Sequence, residues 1–477
     1  MNRVAVVVLG DIGRSPRMQY HALSIAEIPN TKVSLVGYRE SEPHPLIVDN
    51  ENIDISPLVP FPISMSRSGS KRGLLSLLVL WPLLAVSKVL FQCLQLFYTL
   101  WTIPSLSTIL VQSPPAIPTV FILQVVCWMR NIKLIIDWHN LGYTLLALSL
   151  GKSDRHPIIV FAKFIERFFG RSAYAHLFVT QEMRDTLVRD WKLKGKTYVF
   201  HDKASPIFKN MEPNEQVAYL KEFIEKYHIK DQDKEFIENI IESKSASLMS
   251  SKVKHKPDPS VHTSLIISST SWTPDEDFSI LLDAIVKYET DNLQHKQKLL
   301  YIITGKGPQK EYYLNRISQL KLKKSRVITA WLDSQDYPKL LACADVGVSL
   351  HKSSSGLDLP MKVVDMFGCC VPVLAINFAC IGELVKQDYN GLIFQDSQQL
   401  FVQLRSLFGS TSSYADIAGT DPQTQQKQSL TQMKQNLIKD RKTDTWASNW
   451  ASIKHLFSKS SSSPSSYPTK KDSKKRK

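Results

Sequence analysis

The sequence predicts an α/β chain made of two doubly wound parallel-sheet domains in tandem. Three observations carry this. The chain opens on a continuous apolar run, Val4 to Leu9, that ends at Gly10; a turn, helical spacing through Tyr20, Leu23 and Ala26, and a second run from Val33 to Tyr38 follow. Runs this short and apolar throughout are strands buried on both faces, and a β-turn-α-β start is the opening of a doubly wound fold. The same strand-turn-helix series then begins afresh at Ser264, after a polar stretch, in a chain of 477 residues. That length suits two or three domains of about 150 residues.

Taken in order, further first-domain strands fall at Thr108 to Gln112, Leu134 to Asp137 and His176 to Thr180, so the first domain covers 1–205. Arg3 leads straight into the first strand, and its apolar run is too short for a secretory signal core. One segment does not fit a soluble domain: from Leu74 to Trp101 Lys88 is the only charge, in 28 residues. A span needs about 20 apolar residues. Pro82 and Lys88 interrupt it, Arg67, Lys71 and Arg72 flank it, and Phe97, Tyr98 and Trp101 crowd its far end. Interfacial helices fit this pattern better than a transmembrane span, with a buried helix as the third reading. The apolar run 118–129 is shorter and reads as a core helix. Residues 206–262 read as a linker with a helical insertion. In the second domain, 263–408, strands fall at Ser264 to Ser269, Leu299 to Thr304, Arg326 to Thr329, Val346 to Leu350 and Pro372 to Ala375. Residues 409–458 make a polar linker and a C-terminal helix, and 459–477 a disordered basic tail rich in serine and lysine.

Composition narrows the function classes. With 43% hydrophobic residues the chain is not wholly disordered, and six cysteines exclude a disulfide scaffold. None of the six has the spacing of a metal site, and they read as reduced core thiols. No N-x-S/T sequon occurs. The net charge of +15 suits nucleic acid, an anionic membrane or a phosphorylated substrate. Seven lysines and arginines against Asp472 give the tail +6 of this, leaving +9 for the body.

Two such domains imply a cleft with ligands at the carboxyl ends of the strands. Several turns there suit phosphate. Ser353-Ser354-Ser355-Gly356 follows the Val346 strand and precedes a helix with Lys362 and Asp365; its small residues let backbone N–H groups approach an anion. Gly305-Lys306-Gly307 offers the same access plus a mobile cation. In the first domain Gly10-Asp11-Ile12-Gly13-Arg14 joins a tight turn to a carboxylate, with Arg17 close by. It lacks the dinucleotide glycine fingerprint. Asp11 suits a helix N-cap, the commoner role, or a general base. His139, in Asp137-Trp138-His139-Asn140, suits a base, a hydrogen-bond donor to substrate or a satisfied structural histidine.

Five segments, VVVLGDIGRSPRMQYHALSIA, IIDWHNLGY, SSTSWTPDEDFSILLDA, ITGKGP and HKSSSGLDLPMKVVDMFGCCVPV, together resemble the chitobiosyldiphosphodolichol β-mannosyltransferase family, from Val4 to about Phe408. The resemblance implies a GT-B fold, two facing Rossmann-like domains of which the second binds the nucleotide sugar. It implies GDP-mannose as donor, N,N′-diacetylchitobiosyl diphosphodolichol as acceptor, and a β1,4 bond formed with inversion on the cytosolic face of the endoplasmic reticulum membrane. It also implies association with other mannosyltransferases of the pathway.

Inversion calls for a base at the acceptor hydroxyl and for neutralisation of the departing diphosphate. The expected catalytic residues are Asp11 first and His139 second, with Gly10, Gly13, Arg14 and Arg17 at the acceptor. For the donor the expected set is Gly305, Lys306, Gly307, Ser354, Ser355, Gly356, Asp358, Lys362, Asp365 and Glu383. Related enzymes carry a Glu-x7-Glu pair; here Asp365 resembles the second acid, a ribose ligand, while Leu357 stands at the first and Asp358 beside it. Glu383 resembles a residue facing the sugar hydroxyls. Ser271 and Glu276 stand where those relatives carry Arg and Lys, which shifts weight to Lys306. No metal-ligand cluster appears, so no metal is expected. Relatives open with a hydrophobic anchor, so attachment here rests on residues 74–101. Lys474 and Lys475 resemble a dilysine retrieval signal, with a solubilising or nuclear-import-like tail as the other reading. Nucleic acid is not expected as a partner. The competing functions are another GDP- or UDP-sugar transferase of this fold, a nucleotide-sugar epimerase and a catalytically silent membrane scaffold.

Overall fold

The computed structural model describes residues 2–62, 81–115, 119–250, 263–291, 297–408 and 429–458. The basic tail, the polar run before the last helices and residues 74–80 of the apolar segment lie outside them.

Thirteen strands form two parallel sheets. The first contains β1 (Asn2–Asp11), β2 (Thr31–Tyr38), β3 (Ile53–Pro57), β4 (Leu106–Ser113), β5 (Lys133–Trp138), β6 (Ser172–Phe178) and β7 (Lys194–Val199), in the order β3-β2-β1-β4-β5-β6-β7. The second contains β8 (Thr263–Ser269), β9 (Lys298–Thr304), β10 (Ser325–Ala330), β11 (Val346–Ser349), β12 (Val373–Ile376) and β13 (Gly391–Phe394), in the order β10-β9-β8-β11-β12-β13. Strand order reverses beside β1 in one sheet and beside β8 in the other, the positions where such sheets take ligands. Between strands run α1 (Pro16–Ala26), α2 (Pro45–Val48), α3 (Trp81–Thr102), α4 (Thr119–Arg130), α5 (Gly142–Leu150), α6 (Pro157–Gly170) and α7 (Gln181–Trp191). They are followed by α8 (Pro213–Lys226), α9 (Asp231–Ser250), α10 (Ser279–Thr290), α11 (Lys310–Ser318), α12 (Asp336–Cys343), α13 (Met361–Gly368) and α14 (Ser397–Phe408).

The chain divides into two compact units. One holds the described residues within 2–111, 121–135 and 450–458. Val4 to Val8 are buried at its centre, which is why that run carries no polar residue. The chain's last described segment belongs to this unit: Asn2 donates to the Phe457 carbonyl at 3.0 Å and the Trp450 indole to His21 at 3.1 Å. No local signal marks that return, because the contacts it satisfies are more than 400 positions away. In α3 Leu96 and Leu100 are buried while Leu83, Leu90, Leu94 and Tyr98 face outward. Among the described residues no helix is long and apolar enough to cross a membrane. The 118–129 run forms α4, with Val120, Leu123 and Val126 in the core but Phe121 and Trp128 exposed.

The other unit holds the described residues within 112–120 and 136–449. Its second sheet is covered by α8 and α9, formed by the polar stretch between the two strand series. Tyr219, Leu220, Phe223, Phe236, Ile237 and Ile240 pack with Leu265, Ile267, Leu300 and Ile302 in one core. The charges of α8 and α9 lie on the opposite faces, so high polarity hid two amphipathic helices. All six cysteines are free; five are buried and Cys93 on α3 is half-buried.

Candidate active site

In the first unit, β1 ends at Asp11 and the chain turns through Ile12–Arg14. Asp11 Oδ1 accepts from the amides of Gly13, Glu40 and Ser41 at 3.1–3.2 Å, and Oδ2 lies 3.3 Å from Arg14 Nε. The bond with Ser41, aided by the other amides against the effect of burial, holds the carboxyl below the usual range. Asp11 is therefore an N-cap and a staple between two loops. Gly13 is required by packing, since a Cβ there would stand 2.6 Å from the Ser41 carbonyl. The two arginines expected together at the acceptor separate: Arg14 is exposed, whereas Arg17 is buried within α1.

Within the second unit, β5 delivers Asp137 and His139 to its carboxyl end. Asp137 is fully buried, and its Oδ2 lies 2.9 Å from His139 Nε2. The His139 amide donates to Ser113 O at 2.9 Å. An ionised carboxylate fixes Nε2 as the protonated nitrogen and leaves the Nδ1 lone pair to accept a proton. Five residues on, Thr144 Oγ1 lies 3.4 Å from Ser354 Oγ, so the start of α5 meets the serine loop after β11.

That loop lies beside the reversal point of the second sheet. Three of its amides are already used: Ser355 N donates to Ser353 Oγ, Gly356 N to Ser353 O and Leu357 N to Ser355 Oγ, at 3.1–3.2 Å. Of the anion cradle expected at Ser354–Gly356, the amides of Ser355 and Gly356 are thus taken up by serine turns. The cause is Asp358, whose Oδ1 draws in the hydroxyls of Ser353 and Ser355 and whose pKa burial raises.

Beside it stands Glu276, which the sequence marked only as a departure. Its side chain is 3% exposed. Oε1 pairs with Lys362 Nζ and lies 3.2 Å from His351 Nδ1; Oε2 accepts from Thr270 Oγ1 at 2.8 Å and from the Ser271 amide. Burial favours the neutral acid, but His351, Lys362 and the Ser271 amide outweigh it and hold the pKa at about 2. The Gly305-Lys306-Gly307 turn lies directly on this loop. A Cβ at Gly305 (φ +129°) would come 1.8 Å from the Thr270 carbonyl, and one at Gly307 1.7 Å from that of Ser271. Lys306 Nζ sits 4.0 Å from the centre of the Trp331 ring and is otherwise exposed. Asp365, on α13, is pushed up to about 7 by burial. Together these groups set Lys362 on a buried acid and Lys306 on the turn packed against the same loop, at the strand ends of the second sheet.

Glu383 was expected to be free for a sugar. Its Oε2 accepts from Gln181 N at 2.6 Å and lies 3.0 Å from His201 Nε2, while Oε1 accepts from Glu182 N at 2.8 Å. It caps α7, because the amides at a helix start attract a carboxylate. Thr180, the N-cap of α7, also donates to Leu357 O at 2.6 Å. Sequence reading missed Glu276, His351 and Thr180; only Thr180 had a local signal, the cap residue ahead of a helical run. Among the described residues no group of three or more His, Cys, Asp and Glu side chains is placed to hold a metal ion.

Two parallel sheets with polar strand-end sites of this kind are the architecture of a GT-B-like glycosyltransferase fold. The structure aligns with that of Anabaena HepE in complex with UDP at a TM-score of 0.56 and 13% identity, covering 96% of this chain and 99% of that one. A family model described as glycosyl transferases group 1 matches residues 262–410. The chain is 62% identical, over 97% of its length and 95% of the relative's, to a protein of Dictyostelium discoideum named chitobiosyldiphosphodolichol beta-mannosyltransferase. It is 39% identical, over 94% of its length and 90% of the relative's, to the human protein of that name. The chain belongs to the chitobiosyldiphosphodolichol β-mannosyltransferase family.

Proposed function

We propose that this chain transfers mannose from GDP-mannose to N,N′-diacetylchitobiosyl diphosphodolichol, forming a β1,4 bond with inversion at the cytosolic face of the endoplasmic reticulum membrane. The observation that carries this reading is 62% identity across nearly the whole chain to a relative named chitobiosyldiphosphodolichol beta-mannosyltransferase. Inversion in one displacement needs the acceptor hydroxyl deprotonated as it attacks the anomeric carbon. His139 Nδ1 is assigned as the proton acceptor, with Asp137 stabilising the imidazolium that forms. Asp11 moves to a positioning role, since a carboxyl held below its usual range is a weak base. As the carbon–oxygen bond to GDP breaks, negative charge grows on the diphosphate, and Lys362 and Lys306 contribute a compensating field. Asp365 offers its carboxyl to the ribose. The outward apolar face of α3 serves as an interfacial anchor.

Incubation of the purified full chain with labelled GDP-mannose and a short-chain lipid-linked chitobiose tests the reading. Lipid-linked trisaccharide forms from GDP-mannose and not from UDP-N-acetylglucosamine. Absence of mannose transfer by folded protein, or equal use of the UDP sugar, sinks it.

A further inference from the structure

The α5–α6 hairpin carries an apolar surface that is exposed among the described residues. The inner face of α6 is conventional: Ile159, Ala162, Glu166 and Gly170 are buried, and a Cβ on Gly170 would come 2.6 Å from the Trp138 ring of β5. The outer face is just as apolar. Ile158, Val160, Phe161, Phe164 and Phe168 are all more than half exposed, and Leu148 of α5 joins them. At 150–250 Å² for each aromatic side chain, the three phenylalanines at 57–63% exposure leave roughly 300–400 Å² of apolar surface in water. That alone reaches the size of the largest patch on an ordinary monomer. A helix that presents large apolar side chains outward as well as inward suits a lipid interface.

The charges point the same way. Lys152, Arg155, Lys163, Arg167 and Arg171 are exposed around this surface; the acids of residues 142–171 are Asp154 and Glu166, and Glu166 is buried. Apolar side chains ringed by an excess of cations match the acyl–headgroup boundary of an anionic membrane. We infer that the α5–α6 hairpin is a second membrane-docking surface, separate from α3, whose occupant is the interface of an anionic lipid bilayer. Glu166 ties it to the chemistry. From the inner face of α6 its oxygens accept from the amides of Gly142 and Tyr143 at 2.8 and 3.1 Å, the residues that open α5 directly after His139 and Asn140. Seating the hairpin on a bilayer therefore sets the height of the His139 loop above the lipid surface. Only this last consequence rests on the proposed transfer to a lipid-linked acceptor.

The test uses the full chain and two variants, F161S/F164S/F168S and K163E/R167E, all at exposed positions. Partition onto vesicles of phosphatidylcholine with about 30 mol % phosphatidylserine is measured by sedimentation, with circular dichroism and Tm as folding controls. The triple variant is expected to keep its Tm and lose at least about fivefold in partition coefficient. The charge-reversal variant is expected to lose binding to the mixed vesicles and keep binding to pure phosphatidylcholine. With a short-chain acceptor in solution both variants keep wild-type rates; with long-chain acceptor in vesicles both slow. Unchanged vesicle binding by both folded variants overturns the proposal. So does conversion of a dimer to a monomer by the triple variant with vesicle binding intact, which would make the face a contact between copies. Vesicle binding is read without any sugar donor, so loss of binding alongside absent mannose transfer upholds the docking surface while defeating the assigned reaction.

Discussion

Lys362, in the first turn of α13, is ion-paired with the buried carboxylate of Glu276, from the loop after β8. The pair joins the two strand ends that flank the reversal point of the second sheet, and His351, Thr270 and Ser271 complete the acid's coordination. The Lys362 ammonium is thereby held in place by a buried carboxylate.

Because Glu276 has a pKa of about 2 against an ordinary 4.5, its contribution to stability is complete above pH 4.5 and disappears as pH falls toward 2. Glu276→Gln should remove on the order of 2–3 kcal/mol at pH 7 and flatten this acid limb, as denaturant unfolding at several pH values would record. An unchanged acid limb in the variant would contradict the assignment.

Glycine is required at 305 and merely convenient at 356. Gly305→Ala forces a Cβ into the Thr270 carbonyl at positive φ and should cost about 3 kcal/mol or more. At Gly356 (φ +72°) nothing lies within 4 Å, so Gly356→Ala should cost only about 1 kcal/mol. Chemical denaturation of the two variants checks the ordering.

Asp365 gives the opposite pH dependence. Burial raises its pKa to about 7 from 3.8, so the folded state is penalised increasingly as pH rises between those values. Asp365→Asn should stabilise the protein at pH 8 by on the order of 2 kcal/mol, with little effect at pH 4. If the carboxylate binds the ribose, GDP binding should release a proton near pH 7, visible by calorimetry in buffers of different ionisation enthalpy, and the variant should lose that release.

The His139–Asp137 pair and the Asp11 staple predict different losses. Asp137→Asn and His139→Ala should lower kcat by about 100-fold or more with little change in the KM for GDP-mannose. Asp11→Asn should lower Tm and leave kcat within a few fold. A large kcat loss in Asp11→Asn at unchanged Tm would return the base to Asp11.

Much of the fold is legible from residue order. Val4–Leu9 and Leu299–Thr304 announce buried parallel strands because a strand covered on both faces tolerates few polar side chains, and Gly305 announces its turn because only glycine fits there. The helices α8 and α9 were veiled for the converse reason: their polar faces dominate composition, and only packing on β8 and β9 shows which residues turn inward. The site follows the same division. Which strand ends carry Asp11, His139, Lys306 and Lys362 could be read directly. What each group is bound to could not, because Glu276 meets Lys362 across 86 positions and Glu383 meets Gln181 across 202. Sequence by itself determined an α/β fold of parallel sheets and a family. Only tertiary structure decided that Asp11 is a staple between two loops and that Glu383 caps α7, since hydrogen bonds between distant segments are chosen by the packed fold.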